Sequence, residues 1–417
     1  MRLLMGFIVV LFIRPGDFFP ALASVPIAKA FAMAALGLLV GGKILKRDLS
    51  WARSHFNPWM IGLSVAVFIS VIDSVDRGTS LAFFNNVYFK IVVLWLLMME
   101  TINTRNRTVM FQAVIGVMTG LIASYSIYAK FNAINLIEGS RSSFVGLFAD
   151  PNDLAMALLM AVPFLAEATF SPKMKASRPI WAILLLLNLG GLVVTQSRGG
   201  LLGLGVAGFI FLQLRVKNIV LVGGLCFVGL LGLTTVSGIG ERQTTVAHDG
   251  GMDASARGRI DAWIAGGRMM LFNPLTGVGL FQVHEMFGAY AVNPVEWRSK
   301  TSHNAFVQCG AETGILGLTP FLALVVMAFW STFRIVREIP PGVTPIQRAF
   351  LRSQLGTLGA VMMASVFLSV AWSWFFYIVI AQAATSHRVW LAMPEILERK
   401  RLQVEEKEAH RLATLAL

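Results

Sequence analysis

Long apolar runs separated by short polar connections dominate this chain. They lie at about 3–13, 22–42, 58–72, 86–99, 109–129, 153–169, 179–196, 200–214, 218–236, 305–333, 351–369 and 371–388. Most approach the roughly 20 apolar residues that a helix needs to cross a bilayer. In lipid every backbone N–H and C=O must be satisfied within the protein, so each run predicts a helix. The expected fold is therefore all-α: a polytopic integral membrane protein of about twelve transmembrane helices with one large loop carrying short interfacial helices. Its organisation follows from the spacing. Residues 1–236 hold about nine spans, 237–302 form the loop, 303–390 hold about three spans, and 391–417 form a charged tail.

The loop has a pattern of its own. Residues 256–272 show helical periodicity, with Ile260, Trp263, Ile264, Gly267 and Leu271 on one stripe about 100° wide. Arg257 and Arg268 flank one edge of the stripe and Arg259 lies beyond the other. An apolar stripe bordered by Arg and holding a Trp predicts a helix lying in the interface plane. Asn273-Pro274 ends it, Gly277-Val278-Gly279 reads as a turn, and Leu280 to Tyr290 suits a second short helix. The chain then passes Asn293-Pro294 and re-enters the membrane at Thr301-Ser302-His303-Asn304, where Thr301 or Ser302 is suited to cap the next helix.

Composition agrees: 56% of residues are hydrophobic and 14% charged, which excludes a soluble domain. Charge orients the stack. With the N-terminus inside, alternate connections hold Lys43, Lys46, Arg47 and Arg53, then Arg105 and Arg107, then Lys173, Lys175 and Arg178. Arg215 and Lys217, then Arg334, Arg337, Arg348 and Arg352, and the tail with Arg399, Lys400 and Arg401 fall on the same side. Most of the 35 Lys and Arg are therefore inside, and both termini are expected to be cytoplasmic. The net charge of +13 thus reflects inner-leaflet anchoring and gives no reason to expect a nucleic-acid partner. The first apolar run is followed by Arg14-Pro15-Gly16-Asp17, not by a small-residue cleavage site, so it reads as a retained span. Cys226 and Cys309 have neither metal-ligand spacing nor the pattern of a disulfide framework.

Against this rule a few Arg fall outside, beside the chain's local motifs. Arg141 precedes Gly146-Leu147-Phe148-Ala149-Asp150-Pro151-Asn152-Asp153, in which Asp150 suits an N-cap and Pro151 the first helical position. The start of such a helix presents free N–H groups and a positive dipole end to anions. Arg198 stands in the turn Thr195-Gln196-Ser197-Arg198-Gly199-Gly200, where small neighbours let a phosphate approach a guanidinium. Arg198 also suits simple snorkelling to headgroups. His303 closes the Arg-bearing loop, and a neutral imidazole there is able to accept a proton near pH 7. Glu312 reads as a polar helix contact. His248, Asp249 and Asp253 share a stretch whose Gly250-Gly251 reads as flexible surface. Asp-x-Asp pairs, HExxH, Walker loops and dinucleotide fingerprints do not occur, so no metal or nucleotide cofactor is expected.

Three segments together, GLFADPNDLA at 146–155, TQSRGGLLGLG at 195–205 and GRIDAWIAGGRMMLFNPLTGVGLFQV through SHNAFVQCGAETGILGL at 258–317, resemble the O-antigen ligase and polymerase superfamily of bacterial envelope glycosyltransferases. About twelve spans with one large outer loop before the last three fit as well. The resemblance implies an inner-membrane enzyme with a periplasmic site that moves a glycan from an undecaprenyl-diphosphate donor. It implies that Arg198 and Arg259 bind diphosphate, that His303 is catalytic, and that Arg141, Arg257 and Arg268 assist, with Asn304, Asp150, Asn152 and Trp263 in support. Length, and the lack of an added periplasmic domain, favour lipid A–core as acceptor over glycan extension or protein glycosylation. The rival from another class is a lipid or polysaccharide transporter, which is expected to show paired broken helices and ionisable groups deep in its spans.

Overall fold

A computed structural model of the protein describes residues 1–18, 20–22, 25–48, 50–236, 254–292, 301–340 and 342–392. Each of the twelve apolar runs is helical. The first half comprises α1 (Arg2–Ile13), α2 (Ile27–Leu45), α3 (Asn57–Ile72), α4 (Arg77–Phe83), α5 (Phe89–Thr101) and α6 (Arg105–Phe131). Then come α7 (Pro151–Leu159), α8 (Val162–Thr169), α9 (Arg178–Thr195), α10 (Arg198–Gln213) and α11 (Ile219–Val236). The loop supplies α12 (Ala254–Phe272) and α13 (Val283–Tyr290), and the chain closes with α14 (Ala305–Arg337), α15 (Pro345–Ser365) and α16 (Trp374–Ser386). Among the described residues, six helical segments are long and apolar enough to cross a membrane: 27–45, 77–101, 105–131, 151–169, 178–195 and 305–337.

Contacts sort the charged and polar residues into two ends. At one end Glu167 takes a bidentate grip from Arg215, 2.8 Å on each oxygen, with Arg352 Nε 3.5 Å away. Lys43 pairs with Glu100 at 2.9 Å in the same set of connections. At the other end Arg141 meets Asn152, and Thr276 Oγ1 donates to Asp73 Oδ2 at 2.5 Å. The residues that the charge pattern assigns to the inside thus pair with one another, and so do those assigned to the outside.

Among the described residues two long apolar helical runs are broken. The run at 153–169 is interrupted at Met160–Ala161, and the buried Met160 carbonyl accepts from Gln112 Nε2 at 2.8 Å, deep in the bundle. Helix α14 is interrupted at Gly314, whose φ of 59° and ψ of −158° suit only a residue without a side chain. The backbone groups freed there are taken up by the turn after α12. Val278 N donates to Ala311 O at 2.9 Å and Gly279 N to Glu312 O at 3.3 Å, while Ile315 N donates to Pro274 O at 2.8 Å. Gly277, at φ 69°, lies so close to the Ala311–Thr313 backbone that a Cβ would overlap it. The Gly277-Val278-Gly279 turn is therefore more than a loop reversal: it plugs the kink of a span, since unpaired backbone groups are not tolerated there.

The second loop helix starts at Val283, not Leu280, because residues 279–282 are committed to this plug. The run at 351–369 also ends as helix at Ser365, and residues 366–373 form an irregular connection. Residues 237–253 and 293–300 and the tail beyond 392, including His248, Asp249, Asp253 and the Asn293-Pro294 segment, lie outside the described residues, as does the side chain of Arg257.

Candidate active site

The site is built from helix starts at the Arg141 end of the bundle. Asp150 caps α7, accepting from Asn152 N at 2.6 Å and from Asn152 Nδ2 at 2.9 Å. That bond turns the Asn152 side chain so that its Oδ1 accepts twice, from Arg141 Nη2 and from Ser197 Oγ, each at 2.8 Å. Arg141 is buried, and its Nε donates to Thr195 O at 3.0 Å. Ser142 N adds a backbone bond to Val194 O at 2.9 Å. The 146–155 and 195–205 motifs, far apart in sequence, are thereby one structural unit with Asn152 as its joint.

Ser197 caps α10 through its Oγ, which accepts from Gly200 N at 3.1 Å, and Arg198 is the first residue of that helix, half-buried. Its position puts a guanidinium beside a helix N-terminus, so the fixed charge and the dipole act in the same direction on an anion. Gly200 abuts Ala155, which seats the starts of α7 and α10 together.

The irregular connection 366–373 links this unit to His303. Gly199 faces Phe367 on one side, and on the other Ser369 Oγ accepts from His303 N at 2.8 Å. Ser302 Oγ lies 3.3 Å from the same hydroxyl. His303 has a left-handed backbone, φ 46°, and is half-buried, with Nε2 3.5 Å from Thr301 Oγ1. A non-glycine residue in that conformation costs about 1–2 kcal/mol and persists only where its surroundings fix it. Neither Thr301 nor Ser302 caps α14. Asn304 does, its Oδ1 accepting from Phe306 N at 2.9 Å and Val307 N at 3.2 Å, because Ser302 Oγ is turned onto Asn304 O instead.

Beneath His303 a buried polar cluster holds the connection in place. Gln308 Oε1 accepts from Ala371 N at 3.1 Å. Glu312 Oε2 accepts from Trp372 Nε1 at 2.5 Å and from Phe281 N at 2.9 Å. Glu312 is thus the polar helix contact expected of it, with a reach that extends to both loops. Ser369, Gln308 and Trp372 were not apparent from the sequence. The only sign of Ser369 and Trp372 is the pair of serines and pair of Trp in VFLSVAWSW, where an apolar run should continue, and Gln308 gives none.

Helix α12 lies along the first turns of α14, with Gly266 against Val307 and Gly310 against Met270. Small or compact residues, Ala262, Ala265, Gly266 and Met269, form its buried face. Ile260, Ile264 and Leu271 of the apolar stripe point outward, as an interfacial helix requires. Arg259 and Trp263 are both half-buried, and the Trp263 Nε1–H has no hydrogen-bond acceptor among the described residues. Arg268 faces elsewhere: its Nη1 donates to Tyr290 O at 3.2 Å and Ala291 O at 3.4 Å, fastening the end of α13. The structure thus joins Arg141, Asp150, Asn152 and Arg198 in one unit and His303 with Asn304 in a neighbouring one. Arg259 and Trp263 stand on the helix alongside.

A family model described as O-antigen ligase matches residues 183–322, from within α9 to beyond the Gly314 kink. The match spans roughly a third of the chain and includes Arg198, Arg259, His303 and Glu312. The match supports the resemblance to the O-antigen ligase and polymerase superfamily over these residues. No curated protein matches the chain.

Proposed function

We propose that the protein is an O-antigen ligase of the bacterial inner membrane. On this reading it transfers a polysaccharide from undecaprenyl diphosphate to a sugar hydroxyl of lipid A–core at the periplasmic face, with both termini cytoplasmic. The observation that carries the proposal is the junction at 366–373, which brings the Arg198 helix start and His303 to two sides of one short connection within a chain that resembles this superfamily.

The chemistry is an inverting displacement. The acceptor hydroxyl oxygen attacks the donor's anomeric carbon, the bond from that carbon to the diphosphate oxygen breaks, and its electron pair leaves with the lipid diphosphate. His303 takes the hydroxyl proton as general base. Arg198 and Arg259, with Arg141 behind them, stabilise the charge gathering on the departing diphosphate. Guanidinium groups suit that task because they offer two parallel donors and remain charged. Arg257, two residues before Arg259 in the same helix, belongs to the same proposal. Arg268 contributes by holding α13 against α12. The Trp263 indole N–H supplies one further donor for a phosphate or sugar oxygen.

A transporter would be expected to have broken helices, and the described residues include two. Both breaks, however, are filled by the protein's own groups, Gln112 at one and the 274–279 turn at the other, whereas a transport site lines its breaks with a cavity. The decisive experiment incubates purified protein with a labelled undecaprenyl-diphosphate glycan and lipid A–core in detergent. A ligase makes a covalent glycolipid, and His303→Ala abolishes it while donor binding is retained. Unimpaired transfer by that variant would remove His303 from the mechanism. A glycan extended on the donor lipid itself would instead assign polymerase activity.

A further inference from the structure

Next to the motif unit lies a polar cavity of about 300 Å³, lined by Arg14, Asp17, Lys29, Asn86 and Lys90 among others. Three cations converge on it against one carboxylate. Asp17 is committed to Arg14, at 3.2 Å. Lys29 and Lys90 are both half-buried and neither has a hydrogen bond or ion pair to another described residue. Lys90 is the more telling: it stands in the apolar stretch 86–99 of a segment long enough to cross a membrane. A lysine there is costly and its usual explanation is a partner or a polar path. Here it has no partner among the described residues and faces a cavity lined by two other cations.

The cavity adjoins the motif that starts α7. Gly146 is packed so tightly on the Arg14–Asp17 pair that a side chain there would collide with both. A group bound among Arg14, Lys29 and Lys90 would therefore lie beside the same Gly146–Asn152 segment whose far side carries Arg141 and Ser197.

We infer that this cavity is a second anion site, taking a phosphate group of a lipid-anchored ligand from the outer leaflet, and that in the proposed reaction it grips a phosphate on the acceptor glycolipid. The chemistry is that of a phosphate: a compact multivalent anion suits two ammonium groups and a guanidinium at one spot, and basic pockets between spans bind lipid headgroups in this way. The volume lies at the lower end of ligand-sized pockets, enough for a phosphate and part of its sugar. The assignment to the acceptor rests on the ligase reading; the anion site itself does not.

The test therefore measures binding without any donor present. The full-length protein is placed in phosphatidylcholine nanodiscs and titrated with a bis-phosphorylated glucosamine lipid, with the same lipid after phosphatase treatment, and with phosphatidylglycerol. Lys29→Met/Lys90→Met keeps chain length and suits an apolar span. It should weaken binding of the phosphorylated glycolipid at least about tenfold, leave the dephosphorylated lipid unaffected, and leave affinity for undecaprenyl diphosphate unchanged. Preference for the glycolipid over phosphatidylglycerol assigns the site to the acceptor, and equal binding assigns it to ordinary headgroups. Wild-type protein that binds phosphorylated and dephosphorylated lipids equally, or a double variant that binds like wild type, overturns the site. Failure of the ligase reading shows separately, as absence of transfer by wild-type protein that still discriminates the phosphorylated lipid.

Discussion

The amide oxygen of Asn152 is the point at which the proposed diphosphate site is most easily taken apart. It accepts from Arg141 Nη2 and from Ser197 Oγ, both at 2.8 Å. Asn152→Ala removes both bonds but leaves the backbone N–H that bonds Asp150 Oδ1, so the start of α7 keeps its cap. The charge-assisted bond is worth about 1.5–3 kcal/mol and the neutral one about 0.5–1.5 kcal/mol. Their sum, roughly 2–4.5 kcal/mol, is an upper bound on the restraint lost, because two donors share one acceptor. If the lower half of that range appears in donor affinity, Asn152→Ala should weaken binding of labelled undecaprenyl-diphosphate glycan by about 30–200-fold, at about 1.4 kcal/mol per decade. Asn152→Asp keeps an acceptor for both donors and adds a negative charge beside the site. It also replaces the Nδ2 donor to Asp150 with a like charge, so it should lower the melting temperature as well as donor affinity. The double variant Arg141→Ala/Asn152→Ala should bind less weakly than the sum of the two single losses, since Asn152 acts in part through Arg141. Full additivity of the two single losses, or wild-type binding by Asn152→Ala, would refute the reasoning.

Other consequences are more direct. Arg198→Lys and Arg259→Lys should lose transfer almost as completely as the Ala variants, because an ammonium cannot reproduce a two-pronged phosphate contact, and full activity of both Lys variants would reduce these residues to general positive charge. Gly277→Ala should cost roughly 3–5 kcal/mol, from a left-handed backbone with a Cβ, overlap with Ala311–Thr313 and loss of the bonds to Ala311 and Glu312; a melting temperature within about 2 °C of wild type would show that the plug is dispensable. Transfer should survive EDTA treatment of both enzyme and donor, because clustered guanidinium groups can neutralise a diphosphate; activity restored by one specific metal would reopen the carboxylates Asp150, Asp153, Asp249 and Asp253 as ligands.

Much of the architecture was legible in sequence because lipid imposes a simple rule. A backbone in hydrocarbon must satisfy itself, so apolar length alone places the helices at all twelve runs, including the Gly-rich one at 200–214. Charge separates the two ends, and Asp150 and Pro151 mark a helix start because capping is local chemistry. The periodicity of 256–272 likewise identified α12 and its outward stripe. What the sequence could not reveal depends on contacts between distant segments. Nothing local tells that Asn152 joins Arg141 to Ser197, that Ser369 fixes the backbone of His303, or that Asn304 and not Thr301 caps α14. Arg268 sits in the same helix face pattern as its neighbours, yet folding points it at the end of α13. Lys90 lies within an apolar run of the sequence, and only packing sets it beside Arg14 and Lys29. Spans and caps follow from the free energy of short segments against their solvent, whereas hydrogen-bond partners and charge clusters follow from which segments touch, and that only the tertiary structure decides.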